Sequence, residues 1–179
     1  MDPIKLRYLL RRTIAYFIDC FIAFALVMLL IQQLFLAQVR GYIGLDDAWF
    51  LNSWNVELYV LLSISLPVYL YFAFQDSSRK KGSLGKKWMK LEISQYENGQ
   101  KLSFPKALFR TFLKLLPWEI AHVGLIFPEP IYFAEDPQLN ILTPLGILLF
   151  LIYFMSIGLN QKSQSLYDKW LNVHVHSHA

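Results

Sequence analysis

From Thr13 to Ala37 the chain runs for 25 residues with a single charge, Asp19, and two late amides, Gln32 and Gln33. A helix needs about 20 mostly apolar residues to cross a hydrocarbon core, so this stretch is long enough to span with some tilt. Lys5, Arg7, Arg11 and Arg12 precede it, which is the layout of a secretory signal. The apolar run is too long for one, and it reads as an uncleaved signal anchor.

Two further runs repeat the pattern: 56–74, with Pro67 inside it, and 141–159, which carries no charge. A fourth segment, 112–127, is apolar but holds Lys114, Pro117, Glu119 and His122, so hydropathy alone does not separate a crossing from a re-entrant helix. With 55% hydrophobic and 17% charged residues in a chain of 179, nothing remains for a separate soluble domain. Residues 1–179 read as one membrane domain, all-α, a bundle of about four transmembrane helices.

Charge decides the fourth segment. Four cations precede the first span, ten lie between Arg79 and Lys114, and Lys162 and Lys169 follow the last, which leaves only Arg40 of the seventeen. The two other connections hold Asp46, Asp47 and Glu57, and Glu129, Glu135 and Asp136. Under the positive-inside rule this partition requires 112–127 to cross, which places both termini in the cytoplasm. The formal net charge of +4 therefore reflects topology, and nucleic acid is not an expected partner.

Within the basic connection, Lys90 to Ser94 alternates in polarity, Glu97-Asn98-Gly99 supplies a turn, and Lys101 to Phe104 follows. This predicts a small cytoplasmic β-hairpin over about 90–104, to which the tail 172–177 adds a third strand. A kink is expected near Pro67. No repeat is apparent between the two halves of the chain, so a transporter built from it is expected to be a homo-oligomer.

Charges inside a span cost roughly 2.5 to 3.5 kcal/mol on insertion scales and call for a partner or a pathway. Asp19 lies two turns into the first span, and Arg12, seven residues earlier, shares its helical stripe at about 10 Å, too far for direct contact. Glu119 and His122 stand three apart, on one side of a helix, where protons and metals both use such pairs. The Glu-x-x-His spacing is one element of a di-iron bundle, but a second copy is missing, and no metal or other cofactor is expected. Cys20 is the only cysteine, which removes an intrachain disulfide and any CxxC pair. His174, His176 and His178 alternate at the end of the chain and read as a solvated tail. Gly82-Ser83-Leu84-Gly85-Lys86-Lys87 resembles a phosphate loop only loosely, lacking the spacing and the final Ser or Thr. Neither a nucleophile elbow nor an HExxH helix is present, so no enzyme is expected.

Four blocks resemble the RDD family of bacterial membrane proteins: RRTIAYFID at 11–19, GSLGKKWMKLEIS at 82–94, NGQKLSFPKALFRTFLKLLPWE at 98–119 and QSLYDKWLNVHV at 164–175. The family is named for one arginine and two aspartates, which match Arg12, Asp19 and Asp168. Arg110 falls where the family carries an arginine before its central apolar segment, and Asn172 stands where it often has threonine. The resemblance implies a bacterial inner-membrane location and a polar cluster of Arg12, Asp19 and Asp168 at the cytoplasmic end of the bundle, extended by Glu119 and His122. Sodium/proton antiport, ascribed to at least one member, implies a secondary transporter in which Asp19 binds protons and monovalent cations alternately and Arg12 tunes it. The competing expectation is a non-catalytic scaffold or accessory protein that binds lipid or a partner protein.

Overall fold

The computed structural model describes residues 3–78, 82–131, 140–160 and 162–177. Arg79, Glu135, Asp136 and His178, which enter the charge and tail readings above, lie outside the described residues. The first helical rod comprises α1 (Pro3–Leu26), a π-helical stretch (Val27–Leu36) and α2 (Ala37–Val39). After a 3-10 turn at Trp49–Leu51 comes a second rod: α3 (Ser53–Val60), a π-helical stretch (Leu61–Ser65) and α4 (Leu66–Ser77). Then follow α5 (Leu84–Trp88), β1 (Leu91–Gln95), α6 (Phe104–Ile126), α7 (Leu142–Leu159), α8 (Leu166–Trp170) and β2 (Val173–Ser177).

Among the described residues, three helices are long and apolar enough to cross a membrane: Lys5–Val39, Ser53–Ser77 and Leu142–Leu159. The first two contain the runs 13–37 and 56–74, the third matches 141–159 to within one residue, and the fold is that of an all-α membrane protein with one small sheet. The fourth segment lies inside α6, which begins eight residues earlier than the apolar run because Pro105 in its first turn suits a helix start and Ala107 N–H donates to the Ser103 carbonyl at 2.9 Å. The disturbance expected at Pro67 takes the form of the π stretch Leu61–Ser65 just before it, where the helix widens around a proline that has no N–H to give.

The predicted hairpin is corrected. Its first strand and its turn form, with Gln95 N–H donating to the Gln100 carbonyl at 2.9 Å, but β1 pairs antiparallel with the tail strand β2, Ile93 opposite Val175. Residues 101–104 make no ladder because Ser103 to Pro105 are committed to starting α6. The tail competes well for β1: Val173 and Val175 are β-branched, alternate, and are 0% and 2% exposed.

The chain divides into two compact units. The first comprises Met1–Ala23, Tyr69–Lys114 and Leu151–Ala179. Its apolar core joins Ala15, Leu91, Ile93, Leu102, Val173 and Val175, so the small sheet packs on α1. Fully burying each of the larger side chains is worth about 1.5 to 3 kcal/mol. The second unit comprises Phe24–Val68 and Leu115–Phe150, with a core of Val56, Val60 and Ile126. Here α6 and α7 pack through glycines: a Cβ on Gly146 would stand 2.5 Å from the Pro117 carbonyl, and one on Gly124 2.5 Å from Thr143 Oγ1. The two π stretches share a hydrogen-bonded group, with Gln32 donating to Ser63 Oγ at 2.8 Å and Tyr59 donating to the Gln32 side-chain carbonyl.

A repeat that the sequence reading does not find stands out in the first unit. Residues 83–95 and 165–177 each run serine, one-turn helix, left-handed residue, strand. Ser83 and Ser165 are extended, at ψ 169 and 163°, and Lys90 and Asn172 both have positive φ, 53 and 55°. The first helical hydrogen bonds also match, Lys87 N–H to the Ser83 carbonyl at 3.0 Å and Lys169 N–H to the Ser165 carbonyl at 2.9 Å. The Ile93–Val175 pair lies at the centre of this relation, so a local two-fold passes through it. Only Ser-Leu and Lys-Trp are shared by the two copies, too few identities to show as a repeat in the chain.

Candidate functional site

The first unit holds a chain of buried charges. Asp168 sits in α8, whose start is fixed by Ser165: the Asp168 N–H donates to Ser165 Oγ at 3.3 Å. Its carboxylate is bridged by two arginines, Arg12 Nη2 at 2.7 Å from one oxygen and Arg110 Nε at 2.7 Å from the other. Arg110 then reaches Asp76 at 2.8 Å through Nη1, and the second oxygen of Asp76 takes Lys86 Nζ at 2.6 Å. Lys86 also donates to Ser83 Oγ at 3.3 Å, and Ser83 donates to Asp19. The other Asp19 oxygen accepts the Gly85 N–H at 2.7 Å. Asp76 and Asp168 are 0% exposed, Asp19 and Arg110 1%.

Asp76 and Asp168 each sit between two cations, and this direct pairing makes their burial tolerable. Burial alone would push the Asp168 carboxyl up, but the guanidiniums of Arg110 and Arg12 outweigh it and hold the group below the usual carboxylate range. Tyr167 lies under the Arg110 guanidinium at 5.4 Å from its ring centroid, and Arg12 Nη1 donates to the Ser163 carbonyl at 2.9 Å. Arg12 also donates to the Tyr8 hydroxyl, which itself donates to the Val175 carbonyl and so ties the network to β2.

Asp19 is different in kind. Among the described residues no cation stands within ion-pair distance of it, and both of its partners are neutral donors. Its site depends on glycine at 85: a Cβ there would lie 2.3 Å from the Ala15 carbonyl and 2.9 Å from the Asp19 carboxylate, so only glycine lets α5 press this closely on α1.

The structure brings Arg12, Asp168 and Arg110 into direct contact and places Asp19 in the same network at the far end of a relay through Ser83 and Lys86. Arg12 pairs with Asp168 and makes no direct contact with Asp19. Glu119 and His122 lie in the second unit and take no part in the network. There His122 stacks on Trp118 at 5.6 Å, Glu119 lies within electrostatic reach of Glu57 and of His122, and Glu57 Oε2 and His122 Nδ1 are buried without a hydrogen-bond partner among the described residues. Among the described residues no three His, Cys, Asp or Glu side chains gather closely enough to hold a metal ion. Lys114 is buried over the rings of Phe72, at 3.6 Å, and Tyr16, at 4.8 Å, a contact by which α6 accommodates a cation.

Sequence reasoning misses Asp76, Lys86, Ser83 and Gly85. Three of them belong to the stretch that loosely resembles a phosphate loop, and here they grip carboxylates of their own chain. Asp76 gives a faint signal, being an acid at the end of an apolar run with a basic segment behind it.

Long apolar helices and a buried ion network assembled from α1, α4, α6 and the two short helices define an integral membrane protein of helical type. The model of the RDD family matches residues 6–172, nearly the whole chain, and the protein belongs to that family. Neither a curated protein nor a solved structure matches it.

Proposed function

We propose that this RDD-family protein is a secondary transporter of the bacterial inner membrane, in which Asp19 exchanges a proton for a monovalent cation such as sodium. The observation that carries this reading is the contrast among the three buried carboxylates. Asp76 and Asp168 each bridge two cations, and protonating either would strand buried positive charge at a cost of about 3 to 5 kcal/mol. Asp19 meets only the Ser83 hydroxyl and the Gly85 N–H, so it can change its charge without breaking an ion pair. No covalent chemistry is proposed for it, and the working form is a homo-oligomer.

The topology proposed is four crossings with both termini cytoplasmic. It is supported by β1 following α4, β2 following α7, and the two strands pairing, which brings the ends of α4 and α7 to one face. Between β1 and α7 the only described helix long enough to carry the chain back is α6, whose 23 residues make about 34 Å. An Asp136→Cys reporter in a Cys20→Ser background is expected to react with an impermeant thiol reagent from outside; protection there would remove α6 as a crossing.

A second reading, a scaffold or accessory protein, is favoured by the unbroken alternation of Lys86, Asp76, Arg110, Asp168 and Arg12, in which every member is engaged by another residue of the same chain. Proteoliposomes of purified protein separate the two readings. Cation-driven proton movement that is lost in Asp19→Asn supports the transporter. Silence in the correctly folded wild type with sodium, potassium and lithium leaves the scaffold.

A further inference from the structure

The repeated helices α5 and α8 each leave one face uncovered, and the two faces are alike. Leu84 and Trp88, four apart, are 37% and 66% exposed; Leu166 and Trp170, at the equivalent positions, are 48% and 81% exposed. The inward face of each helix is anchored. Lys86 and Asp168 point into the ion network, Ser83 and Ser165 are fully buried, and the strands that follow are core. A leucine and a tryptophan left in the open twice, on a backbone repeated closely, mark a surface rather than a packing defect.

Their height relative to the spans is set by contacts. Lys86 of α5 is bonded to Asp76, one residue before the end of α4. Against α7, the Leu166 N–H donates to Ser156 Oγ at 3.2 Å and Tyr167 packs on Tyr153 with ring centroids 5.2 Å apart, both within the last two turns of the apolar helix. Each pad therefore lies where a span leaves hydrocarbon, the depth at which tryptophan is most stable because its ring is apolar and its N–H needs water or a headgroup. Exposed Lys90 and Lys169 stand in the same segments, and each cation near an anionic leaflet adds about 1 kcal/mol of attraction.

We infer that α5 and α8 are a pair of membrane-surface anchors, Leu84 with Trp88 and Leu166 with Trp170 sinking into the headgroup layer of the leaflet at which α4 and α7 end, while the neighbouring lysines face anionic lipid. Two such pads, related by the local two-fold, hold the sheet and the ion network at a fixed depth. This inference does not depend on transport.

The full chain in vesicles of phosphatidylcholine and phosphatidylglycerol tests it, with Trp49, Trp54 and Trp118 replaced by Phe so that only Trp88 and Trp170 emit. Lipid brominated near the headgroup is expected to quench both, with blue-shifted emission, and aqueous iodide to quench neither. Quenching of either residue by iodide and not by brominated lipid would overturn the pairing, and quenching by neither would assign the pads to a protein contact. Should the triple variant fold poorly, Trp88→Cys and Trp170→Cys in a Cys20→Ser background, each changing an exposed side chain, carry nitroxides for the same measurement. Oxygen contact exceeding that of a water-soluble nickel chelate is expected at both, and the reverse order at either would contradict the anchor.

Discussion

The two copies of the short helix and strand, 83–95 and 165–177, share a backbone and differ in what they bury. The extended serine, the left-handed residue before the strand and the alternating apolar strand recur in both. At the equivalent buried position, however, one copy has Lys86 and the other Asp168, and where the first has Gly85 the second has Tyr167. The frame is thus a matter of local backbone chemistry, which many sequences satisfy. The charges are a matter of position: opposite signs at the two sites let a single arginine, Arg110, bridge Asp76 on one side and Asp168 on the other. The Gly and Tyr mark the divergence in role, because Gly85 opens the contact with Asp19 and Tyr167 fills space under Arg110.

That comparison breaks most severely at Arg110. Arg110→Met removes the link shared by both copies and leaves Asp76 and Asp168 each short of a cation, so thermal unfolding in detergent should report a loss of about 3 to 5 kcal/mol. Gly85→Ala tests the first copy alone. Its new Cβ meets backbone at 2.3 Å, and a loss of about 1 to 3 kcal/mol is expected from the same melt, with the Asp19 contact disturbed as well.

Smaller changes sharpen the likeness of the two frames. Lys90 and Asn172 hold the same left-handed conformation, which costs a lysine roughly 1 kcal/mol or more and an asparagine less. Lys90→Gly should therefore stabilise by up to about 1 kcal/mol, and Asn172→Gly, which also forfeits the bond from Asn172 Nδ2 to Glu97, should gain less.

The smallest effect is one of pH. Burial on β2 and the neighbouring His176 lower the pKa of His174, so the unfolded chain takes its proton first and stability falls as pH drops below about 6.5. Asp168, also held low, adds its own loss only below the ordinary carboxylate value of about 3.9. His174→Gln should flatten the first, shallow descent and leave the second, as read from melting temperature against pH.

The spans were legible because a run of apolar residues has few fates in a chain of this composition. The partner of β1 was less so: 101–104 and 173–177 both follow an alternating pattern, and what decides between them is the start of α6 at Ser103 to Pro105. The π stretches carry no pattern distinct from that of an α-helix. Arg12 and Asp168 are 156 positions apart, a pairing that no periodicity could supply, and they were reached through the family resemblance. Asp76 and Lys86 were missed because nothing in the order of the chain shows that they pair with each other and that Asp76 also pairs with Arg110. Glu119 and His122 pair with each other on helical spacing and were joined to the cluster through the family resemblance, neither of which says in which unit they fall.

The central claim is a division of labour among buried carboxylates: Asp168 holds the structure together and Asp19 is free to change charge. Asp19→Asn and Asp168→Asn, purified side by side and examined for thermal unfolding and for sodium-driven proton movement in proteoliposomes, test it most directly. The account predicts that Asp19→Asn melts within about 1 kcal/mol of wild type and carries no exchange, while Asp168→Asn loses about 3 to 5 kcal/mol. Equal destabilisation by the two changes, or exchange that survives in Asp19→Asn, would contradict it.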